Sequence, residues 1–282
     1  MKHQDGTFPT TGGQSIYYQY WCPQAPAKAV ILLVHGAGEH GARYARFAEH
    51  FTQYGYAVAV LDHLGHGRSH GTPGHIDSFD DYLQTLRVFH RRVSDDFSGL
   101  PVFLLGHSMG GLISSKYLLQ HQAEFAGCIL SGPAIKTDLE PGFLQIWLIR
   151  TLALLFPRTG ALQLDANGVS RDPAEVELYV NDPLVHHGKM SARKLRELFS
   201  AMRNVQARAG EITLPMLLLH GGEDAMASPE GSRFLHSHIS STDKTLKIYP
   251  GLYHEIFNEP EREQVFADAL RWLEERMPVP AG

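Results

Sequence analysis

The sequence predicts an α/β protein with a mostly parallel central sheet, helices on both faces of that sheet and an inserted helical segment. Short apolar runs rich in β-branched residues alternate with amphipathic stretches of helical length, the order that is typical of parallel sheets. The runs are apolar almost throughout, as expected of strands buried on both faces. One interval of roughly eighty residues carries helical patterns only, which is too long for an unstructured loop inside a compact domain.

Each element can be placed by its pattern. A segment that alternates polar and apolar residues after a Gly-Gly turn, Ser15–Trp21, predicts an antiparallel strand at the edge of the sheet. The continuous apolar runs predict the parallel strands Ala29–His35, Ala57–Leu61, Val102–Leu105, Gly127–Leu130, Met216–His220 and Thr245–Tyr249. The amphipathic stretches predict helices at Tyr44–Tyr54, Phe79–Val93, Gly110–His121 and Pro229–His238.

Residues 133–213 are predicted to form a helical cap inserted into a core that residues 1–132 and 214–282 build. The cap opens with Phe143–Phe156, which is apolar around most of its circumference. A helix of that kind must be buried or must rest one face on lipid. The enclosing apolar stretch, Gly142–Pro157, is sixteen residues long and is interrupted by Arg150, so it is too short and too charged to span a bilayer.

Composition excludes some classes of protein and indicates a compartment. The formal net charge of −5 argues against a nucleic-acid-binding protein, because such proteins usually carry a basic surface. Met1–Thr10 is polar and lacks the apolar core of a signal peptide. Cys22 and Cys128 have neither a disulfide-framework spacing nor a metal-ligand spacing, and two free thiols fit a reducing compartment. These features predict a cytoplasmic protein.

The pentapeptide Gly106-His107-Ser108-Met109-Gly110 follows a predicted strand and opens a predicted helix. This is the G-x-S-x-G pattern of a nucleophile elbow in its strand–turn–helix context. The serine of such an elbow occupies a strained turn, and the glycines two residues to either side let strand and helix approach without Cβ clashes. The helix N-terminus then stabilises negative charge that develops beside the serine. Ser108 is therefore the candidate nucleophile.

A serine hydroxyl needs a base, and after such an elbow the acid and the histidine follow in that order, each after a strand. The segment after the strand that begins at Met216 contains Glu223 and Asp224, of which Asp224 is the predicted acid and Glu223 the alternative. His254 follows the last predicted strand, at the carboxyl end where sites in open α/β sheets gather. Its rivals, His236 and His238, fall within a helical pattern and are predicted to lie on the surface.

Two backbone N–H groups are expected to form an oxyanion hole. One belongs to the residue after the nucleophile, Met109, and the other to the glycine-rich loop after the first parallel strand, where we assign Ala37. The same loop invites a phosphate-binding interpretation, but it contains neither G-x-G-x-x-G nor G-x-x-x-x-G-K-[ST].

Four histidines cluster in the loop after the second parallel strand. Imidazoles are metal ligands, so His63, His66, His70 and His75 raise the alternative of a metal site. No ligand-spacing signature accompanies them, and the interspersed glycines favour an ordinary structured loop. We expect no metal and no organic cofactor.

These motifs together resemble those of the monoacylglycerol lipases and the related lysophospholipases of the α/β-hydrolase superfamily. The matching stretches span both core and cap: His35-Gly-Ala-Gly-Glu-His40, Asp62-His-Leu-Gly-His-Gly-Arg-Ser69, Gly106-His-Ser-Met-Gly-Gly111, Asp182-Pro-Leu184, Asp243-Lys-Thr-Leu-Lys-Ile-Tyr249 and the blocks around Asp224 and His254. The resemblance implies an α/β-hydrolase fold with the triad and the oxyanion donors given above. It also implies a glycerol-side pocket whose polar positions match Glu39, Arg43, His107 and Tyr179.

The resemblance implies hydrolysis of a monoacylglycerol to a fatty acid and glycerol through an acyl-enzyme. A lysophospholipase or a broad carboxylesterase is the nearest alternative, followed by a serine aminopeptidase and by a non-catalytic ligand receptor. The sequence departs from some relatives at Glu255-Ile256-Phe257, which lacks a further histidine that they carry after the catalytic one. The expected partner is a small lipid ester, with transient contact between the cap and a membrane surface and no nucleic acid. The expected location is the cytoplasm, peripheral at the membrane.

Overall fold

The computed structural model describes residues 1–10, 12–137 and 151–277. In these residues eight strands form one sheet in the order β1-β2-β4-β3-β5-β6-β9-β10, and β7 and β8 form a separate antiparallel pair. The last six strands of the large sheet, β4 to β10 in this order, run parallel to one another. Strand β2 runs antiparallel to both of its neighbours, β1 and β4. The strands are β1 Lys2–Pro9, β2 Ser15–Cys22, β3 Ala29–Val34, β4 Tyr56–Leu61, β5 Val102–His107, β6 Gly127–Ser131, β7 Gly160–Leu162, β8 Met190–Ser191, β9 Met216–Gly221 and β10 Lys244–Tyr249.

Helices cover both faces of the large sheet. The α-helices include α1 Ala45–Gln53, α2 Phe79–Asp96, α3 Met109–His121, α4 Pro173–Asn181, α5 Ala192–Arg208, α6 Pro229–His238 and α7 Arg262–Glu274. Short 3₁₀ helices lie at Gly41–Tyr44, Gln122–Glu124, Ala166–Gly168 and Ala209–Glu211. Residues 151–155 are also helical. The start of α2 is fixed by a capping box in which Ser78 and Asp81 exchange side-chain and backbone hydrogen bonds.

The period-two geometry of the strands divides the core between the two faces. Along β3, Val30 and Leu32 pack with the residues of α2, α3 and α6 on one face. Ile31 and Leu33 pack with α1 and α7 on the other face. All six residues of β3 are buried, which explains why this strand reads as a continuous apolar run. The architecture confirms the predicted fold class.

The edge of the sheet differs from the prediction. Ser15–Cys22 is not the edge strand, because Lys2–Pro9 pairs outside it in antiparallel register. Lys2–Pro9 was missed because it is polar and mostly exposed, so it carries no apolar pattern. Polar and charged side chains are what an edge strand needs to resist pairing with another chain.

The insertion between β6 and β9 contains the β7–β8 pair as well as helices, so the expectation of helical patterns alone was wrong. These two strands are only three and two residues long, too short to show a period in the sequence. Residues 143–150 of the predicted apolar helix lie outside the described residues. The boundaries at 133 and 213 stay a prediction.

The insertion is bonded to the core close to the carboxyl ends of the strands. The backbone carbonyls of Gly168 and Val169 accept hydrogen bonds from the N–H groups of His254 and Glu255. His40 Nε2 lies 2.9 Å from a carboxylate oxygen of Asp182. Among the described residues, no helix is both long enough and apolar enough to cross a membrane.

Candidate active site

Ser108 sits in the sharp turn between β5 and α3. Its φ of 54° and ψ of −120° lie in a region that side-chain-bearing residues rarely adopt. The flanking glycines make the turn possible: a Cβ at Gly106 would lie 2.5 Å from Ser114 Oγ, and a Cβ at Gly110 would lie 2.0 Å from the Val34 carbonyl oxygen. The local backbone is therefore that of a nucleophile elbow, which lifts the Ser108 hydroxyl above the sheet.

The structure brings Ser108, His254 and Asp224 together. His254 Nε2 lies 2.8 Å from Ser108 Oγ, and His254 Nδ1 lies 2.6 Å from Asp224 Oδ2. An Nδ1–H that donates to the carboxylate leaves the Nε2 lone pair free to accept the hydroxyl proton. The alternative acid, Glu223, is one residue away on the chain, and the carboxylate that meets the imidazole is that of Asp224.

The Asp224 carboxylate is held from several sides. Its Oδ1 accepts hydrogen bonds from the N–H groups of Met226 and Ala227. Its Oδ2, which faces His254 Nδ1, also lies 3.1 Å from His220 Nε2. Burial raises the pKa of Asp224, but the charge of His254 and the hydrogen bonds from His220 and His254 outweigh burial and hold the pKa well below its usual range. The acid is therefore charged and fixed in orientation.

The same charges act on the base. Burial lowers the pKa of His254, but the charge and hydrogen bond of Asp224, with the charges of Glu255 and Glu39, outweigh burial and raise the pKa above its ordinary value. A base with a raised pKa accepts the serine proton more readily and becomes protonated at a higher pH.

The two predicted oxyanion donors lie beside Ser108. Met109 is the first residue of α3, where a backbone N–H has no acceptor within the helix. Ala37 belongs to the loop after β3 and lines the same cavity as Ser108 and Met109.

An apolar cavity opens from Ser108 toward the insertion. It encloses about 650 Å³ of empty space, including its open mouth. Its walls include aliphatic, thioether and aromatic side chains of β7 and α5 and of the segment between β7 and α4: Leu162, Leu164, Leu195, Leu198, Phe199 and Met202. Among the described residues that line it, Lys136 carries the only charge, and none is a carboxylate.

A second, smaller cavity is polar. Its lining residues include Glu39, Arg43, His107 and Glu255, and its empty volume is about 220 Å³. It lies close to the nucleophile, since a Cβ at Gly36 would be 2.8 Å from Glu39 Oε1 and 3.1 Å from Ser108 Cβ.

Of the other two predicted pocket residues, His107 lines this cavity, and Tyr179 contacts it only through Arg43. His107 Nδ1 lies 3.0 Å from the Ser131 carbonyl oxygen, and its ring centroid lies 4.8 Å from that of His254. Burial, with the charge of His254, lowers the pKa of His107 to about 3, so this ring is neutral. Tyr179, from α4, is buried, and its ring centroid lies 4.7 Å from the Arg43 guanidinium carbon. The structure thus brings Glu39, Arg43, His107 and Tyr179 to one side of the elbow.

The histidine cluster occupies a structured loop. His63 and His66 are buried, His75 Nδ1 lies 2.8 Å from Ser191 Oγ, and His70 is exposed. Asp62 fixes the loop by accepting hydrogen bonds from backbone N–H groups. In the part of the chain that the structure describes, no three His, Cys, Asp or Glu side chains are arranged to hold a metal ion.

The comparison with known proteins decides the family. The model of the family described as "Serine aminopeptidase, S33" matches residues 25–261. The chain belongs to this family. It is a serine hydrolase of the α/β-hydrolase fold, as its resemblance to the monoacylglycerol lipases implied.

Among its relatives is a monoacylglycerol lipase of Mycolicibacterium smegmatis, which is 38% identical over 267 residues and is matched over 95% of each chain. The crystal structure of Paleococcus ferrophilus monoacylglycerol lipase superposes with a TM-score of 0.81 at 30% identity, covering 98% of this chain and 100% of the other. A soluble variant of monoglyceride lipase from Saccharomyces cerevisiae, solved with a substrate analog, gives a TM-score of 0.86 at 26% identity, covering 99% and 96% of the two chains.

Two side chains at the site were not predicted from the sequence. His220 is the penultimate residue of the apolar strand β9, four residues before Asp224, and a histidine within an apolar run at that spacing was a readable signal. Glu255 was noted only as a departure, yet both of its carboxylate oxygens bind Arg43. Its partner is 212 residues away along the chain, so no local pattern points to it.

Proposed function

We propose that this protein hydrolyses monoacylglycerols to a fatty acid and glycerol through an acyl-enzyme on Ser108. The observation that carries the proposal is that an apolar cavity opens at Ser108 while a group of charged and polar side chains lies beside the same elbow. The apolar cavity suits an acyl chain, whose burial contributes roughly 0.8 kcal/mol per methylene. The polar side chains Glu39, Arg43 and His107 offer hydrogen-bonding groups to a short alcohol at the edge of their small cavity.

In the proposed reaction, His254 Nε2 takes the hydroxyl proton of Ser108 as Oγ attacks the ester carbonyl carbon. The N–H groups of Met109 and Ala37 stabilise the oxyanion of the tetrahedral intermediate. When this intermediate collapses, the protonated His254 gives its proton to the leaving glycerol oxygen. His254 then takes a proton from water as the water oxygen attacks the acyl-enzyme carbonyl carbon. When the second tetrahedral intermediate collapses, His254 returns this proton to Ser108 Oγ, which releases the fatty acid and restores the Ser108 hydroxyl. Asp224 stays ionised and stabilises the imidazolium in both halves of the reaction.

The glycerol hydroxyls would meet the polar side of the elbow. Glu39 and His107 lie nearest to the nucleophile, and Arg43 is held between Glu39 and the ring of Tyr179. These groups offer hydrogen-bond partners to a neutral polyol in a site largely shielded from water.

An aminopeptidase is the rival that the family's description raises. Such an enzyme must bind a free α-amino group on the acyl side of the scissile bond, and a buried ammonium needs a carboxylate partner. The described lining of the apolar cavity contains Lys136 and no carboxylate, so it favours an acyl chain over an aminoacyl group.

We also propose that the cap touches a membrane or micelle surface to collect its substrate. Leu154, Leu155 and Phe156 are consecutive and are 72%, 62% and 60% exposed, and Leu178 and Val180 on α4 are exposed as well. Large apolar side chains exposed on the insertion, which also supplies walls of the apolar cavity, favour contact with lipid over contact with water.

A substrate panel tests the proposed function. Purified protein should release fatty acid from 1-lauroylglycerol faster than from dilauroylglycerol or lauroyl lysophosphatidylcholine, and it should not cleave an alanine 4-nitroanilide. Ser108→Ala protein is the control for contaminating esterase. Cleavage of the anilide without cleavage of the glyceride would contradict the proposal and would indicate an aminopeptidase instead. An absence of both activities, with no burst from an activated ester, would favour a ligand receptor.

A further inference from the structure

The polar cavity contains a buried array of three charges. Arg43 Nη1 donates to Glu39 at 2.9 Å and to Glu255 at 2.6 Å, and Nη2 donates to the second oxygen of Glu255 at 2.7 Å. The side chains of Arg43, Glu39 and Glu255 are 10%, 4% and 7% exposed. Solvent therefore screens their charges poorly.

Glu255 occupies the binding fork of Arg43. The two parallel N–H···O bonds between them have the bidentate geometry by which arginine binds a carboxylate or a phosphate. Since Glu255 fills that fork and Glu39 takes a further N–H, the Nη1–Nη2 face of the guanidinium is not available to an anionic substrate. Asn258 Nδ2 donates to Glu255 Oε2 at 2.8 Å and fixes the carboxylate in place.

The array carries no excess positive charge. Arg43 and its hydrogen bonds outweigh the burial of Glu255 and lower the pKa of this carboxyl to about 2. Burial and the charge of Glu255 raise the pKa of Glu39 against the pull of Arg43. With Glu39 ionised the three side chains sum to one negative charge, and with Glu39 protonated they sum to zero. Two titratable rings also line this cavity, and both are neutral: burial lowers the pKa of His107 to about 3, and burial with the charge of Glu39 raises the pKa of Tyr44, which donates its hydroxyl proton to Glu39.

We propose that Glu255 is a specificity-determining residue that excludes leaving groups bearing a phosphate or carboxylate. It does so by holding both hydrogen-bonding arms of Arg43 and by keeping the net charge of the polar cavity from becoming positive. This inference rests on the proposed ester hydrolysis and narrows it to neutral alcohols. Without Glu255, Arg43 would present a free guanidinium fork in the small cavity that His107, the neighbour of the nucleophile, also lines. Like-charge juxtaposition in a poorly screened site discriminates strongly between partners.

The test compares neutral and anionic leaving groups on matched acyl chains. One pair is 1-lauroylglycerol and 1-lauroylglycerol 3-phosphate. The second pair, methyl 4-(butyryloxy)benzoate and 4-(butyryloxy)benzoate, does not depend on monoacylglycerol activity. The readout is the neutral-to-anionic ratio of kcat/KM, and its change between variants cancels the intrinsic reactivities of the two esters.

We expect Glu255→Gln to lower this ratio by about tenfold or more, mainly through a lower KM for the anionic esters, because the side-chain shape is kept while one negative charge is lost. Glu255→Asp, which keeps the charge, should hold the ratio near the wild-type value. Glu39→Gln removes the ionisable group of the other partner of Arg43. Because the pKa of Glu39 is raised, its share of the negative charge is smaller, so this variant should shift the ratio in the same direction by less, and it serves as the test if Glu255→Gln does not fold.

Glu259→Gln is the matched control. Glu259 is a buried carboxylate four residues along the same loop, paired with Arg171 rather than Arg43, and its variant should keep the ratio. A wild-type enzyme that does not discriminate, or a ratio that Glu255→Gln and Glu39→Gln leave unchanged, would overturn the inference. A further outcome is a wild-type enzyme that fails to hydrolyse 1-lauroylglycerol and still prefers the neutral aryl ester to the anionic one. If Glu255→Gln then loses this preference, the result would support the role of Glu255 and reject the proposed substrate.

Discussion

His254 Nε2 lies 2.8 Å from Ser108 Oγ, although 146 residues separate the two along the chain. At this distance the base is within proton-transfer range of the hydroxyl. The bonds from the His254 and Glu255 N–H groups to Gly168 and Val169 fix the histidine loop against the insertion. A substrate therefore meets a largely preformed site, and the effects of single substitutions can be forecast from its contacts.

Ser108→Ala should reduce ester hydrolysis by about 10⁴-fold or more, because no other group at the elbow can form the acyl-enzyme. Folding should be retained, since the Cβ that the φ of 54° must accommodate is the same in serine and alanine. Initial rates on a 4-nitrophenyl ester and a thermal melt check the two claims. Wild-type-like turnover by the purified variant would remove Ser108 from the mechanism.

Asp224→Asn should lower kcat by about 10⁴-fold, because an amide no longer holds the imidazole in the tautomer that accepts the serine proton. Glu223→Gln is the neighbouring control and should stay close to wild type, since the oxygen at 2.6 Å from His254 Nδ1 belongs to Asp224. Kinetics of both variants on one soluble ester are sufficient. If the Glu223 variant were the more damaged, the acid would have been assigned one residue too far along the chain.

The sequence predicted those parts of the molecule that produce a recognisable pattern of residues along the chain. The parallel strands β3, β4, β5, β6 and β9 are continuous apolar runs, whereas β10 carries Lys244 and Lys247. Gly106 and Gly110, which the close approach of strand and helix requires, mark the elbow serine. Asp224 and His254 were predicted because the order of a triad along the chain is restricted. Lys2–Pro9 has no apolar pattern, and the contact between Arg43 and Glu255 exists only once distant parts of the chain are folded together. These two features could not be read in advance.

The activity should fall in acid with an apparent midpoint above 6.5, the ordinary value for histidine, because the pKa of His254 is raised. A raised pKa keeps the ring protonated up to a higher pH, and only the neutral ring can accept the Ser108 proton. A pH profile of kcat/KM on a non-ionising ester measures the midpoint, with EDTA expected to change nothing. His238→Gln, on the exposed end of α6, should leave the midpoint unmoved. A midpoint well below 6.5 would contradict the raised pKa.

Lys194 is expected to make stability depend on pH. It is fully buried, its Nζ lies 3.3 Å from His66 Nε2, and burial lowers its pKa from 10.5 to about 7. Between these two values the unfolded chain binds a proton that the folded chain does not, so the free energy of unfolding should rise with pH by up to ~1.4 kcal/mol per unit.

Lys194→Met removes that group, so its stability advantage over wild type should be largest near pH 7 and should shrink as the pH rises toward 10. Denaturant unfolding at several pH values checks the trend. The hydrogen bond lost at His66 adds a penalty that is nearly constant with pH, because burial keeps that ring neutral. Parallel pH dependences for variant and wild type would show that Lys194 keeps an ordinary pKa when folded.

The proposed contact between the cap and lipid can be tested separately from catalysis by choosing side chains that face water and are not part of the apolar or the polar cavity described above. Leu155→Glu places a charge in the exposed apolar run Leu154–Phe156 and should weaken sedimentation with phosphatidylcholine vesicles. Turnover of vesicle-borne 1-oleoylglycerol should fall with it, whereas hydrolysis of a short soluble ester should not, since that substrate needs no surface. Tyr54→Glu, at an exposed apolar residue next to α1 in the core, controls for added charge and should leave vesicle binding intact. Equal loss of both activities would mean that Leu155 supports the cap itself, and a wild-type protein that ignores vesicles would end the proposal of a lipid contact.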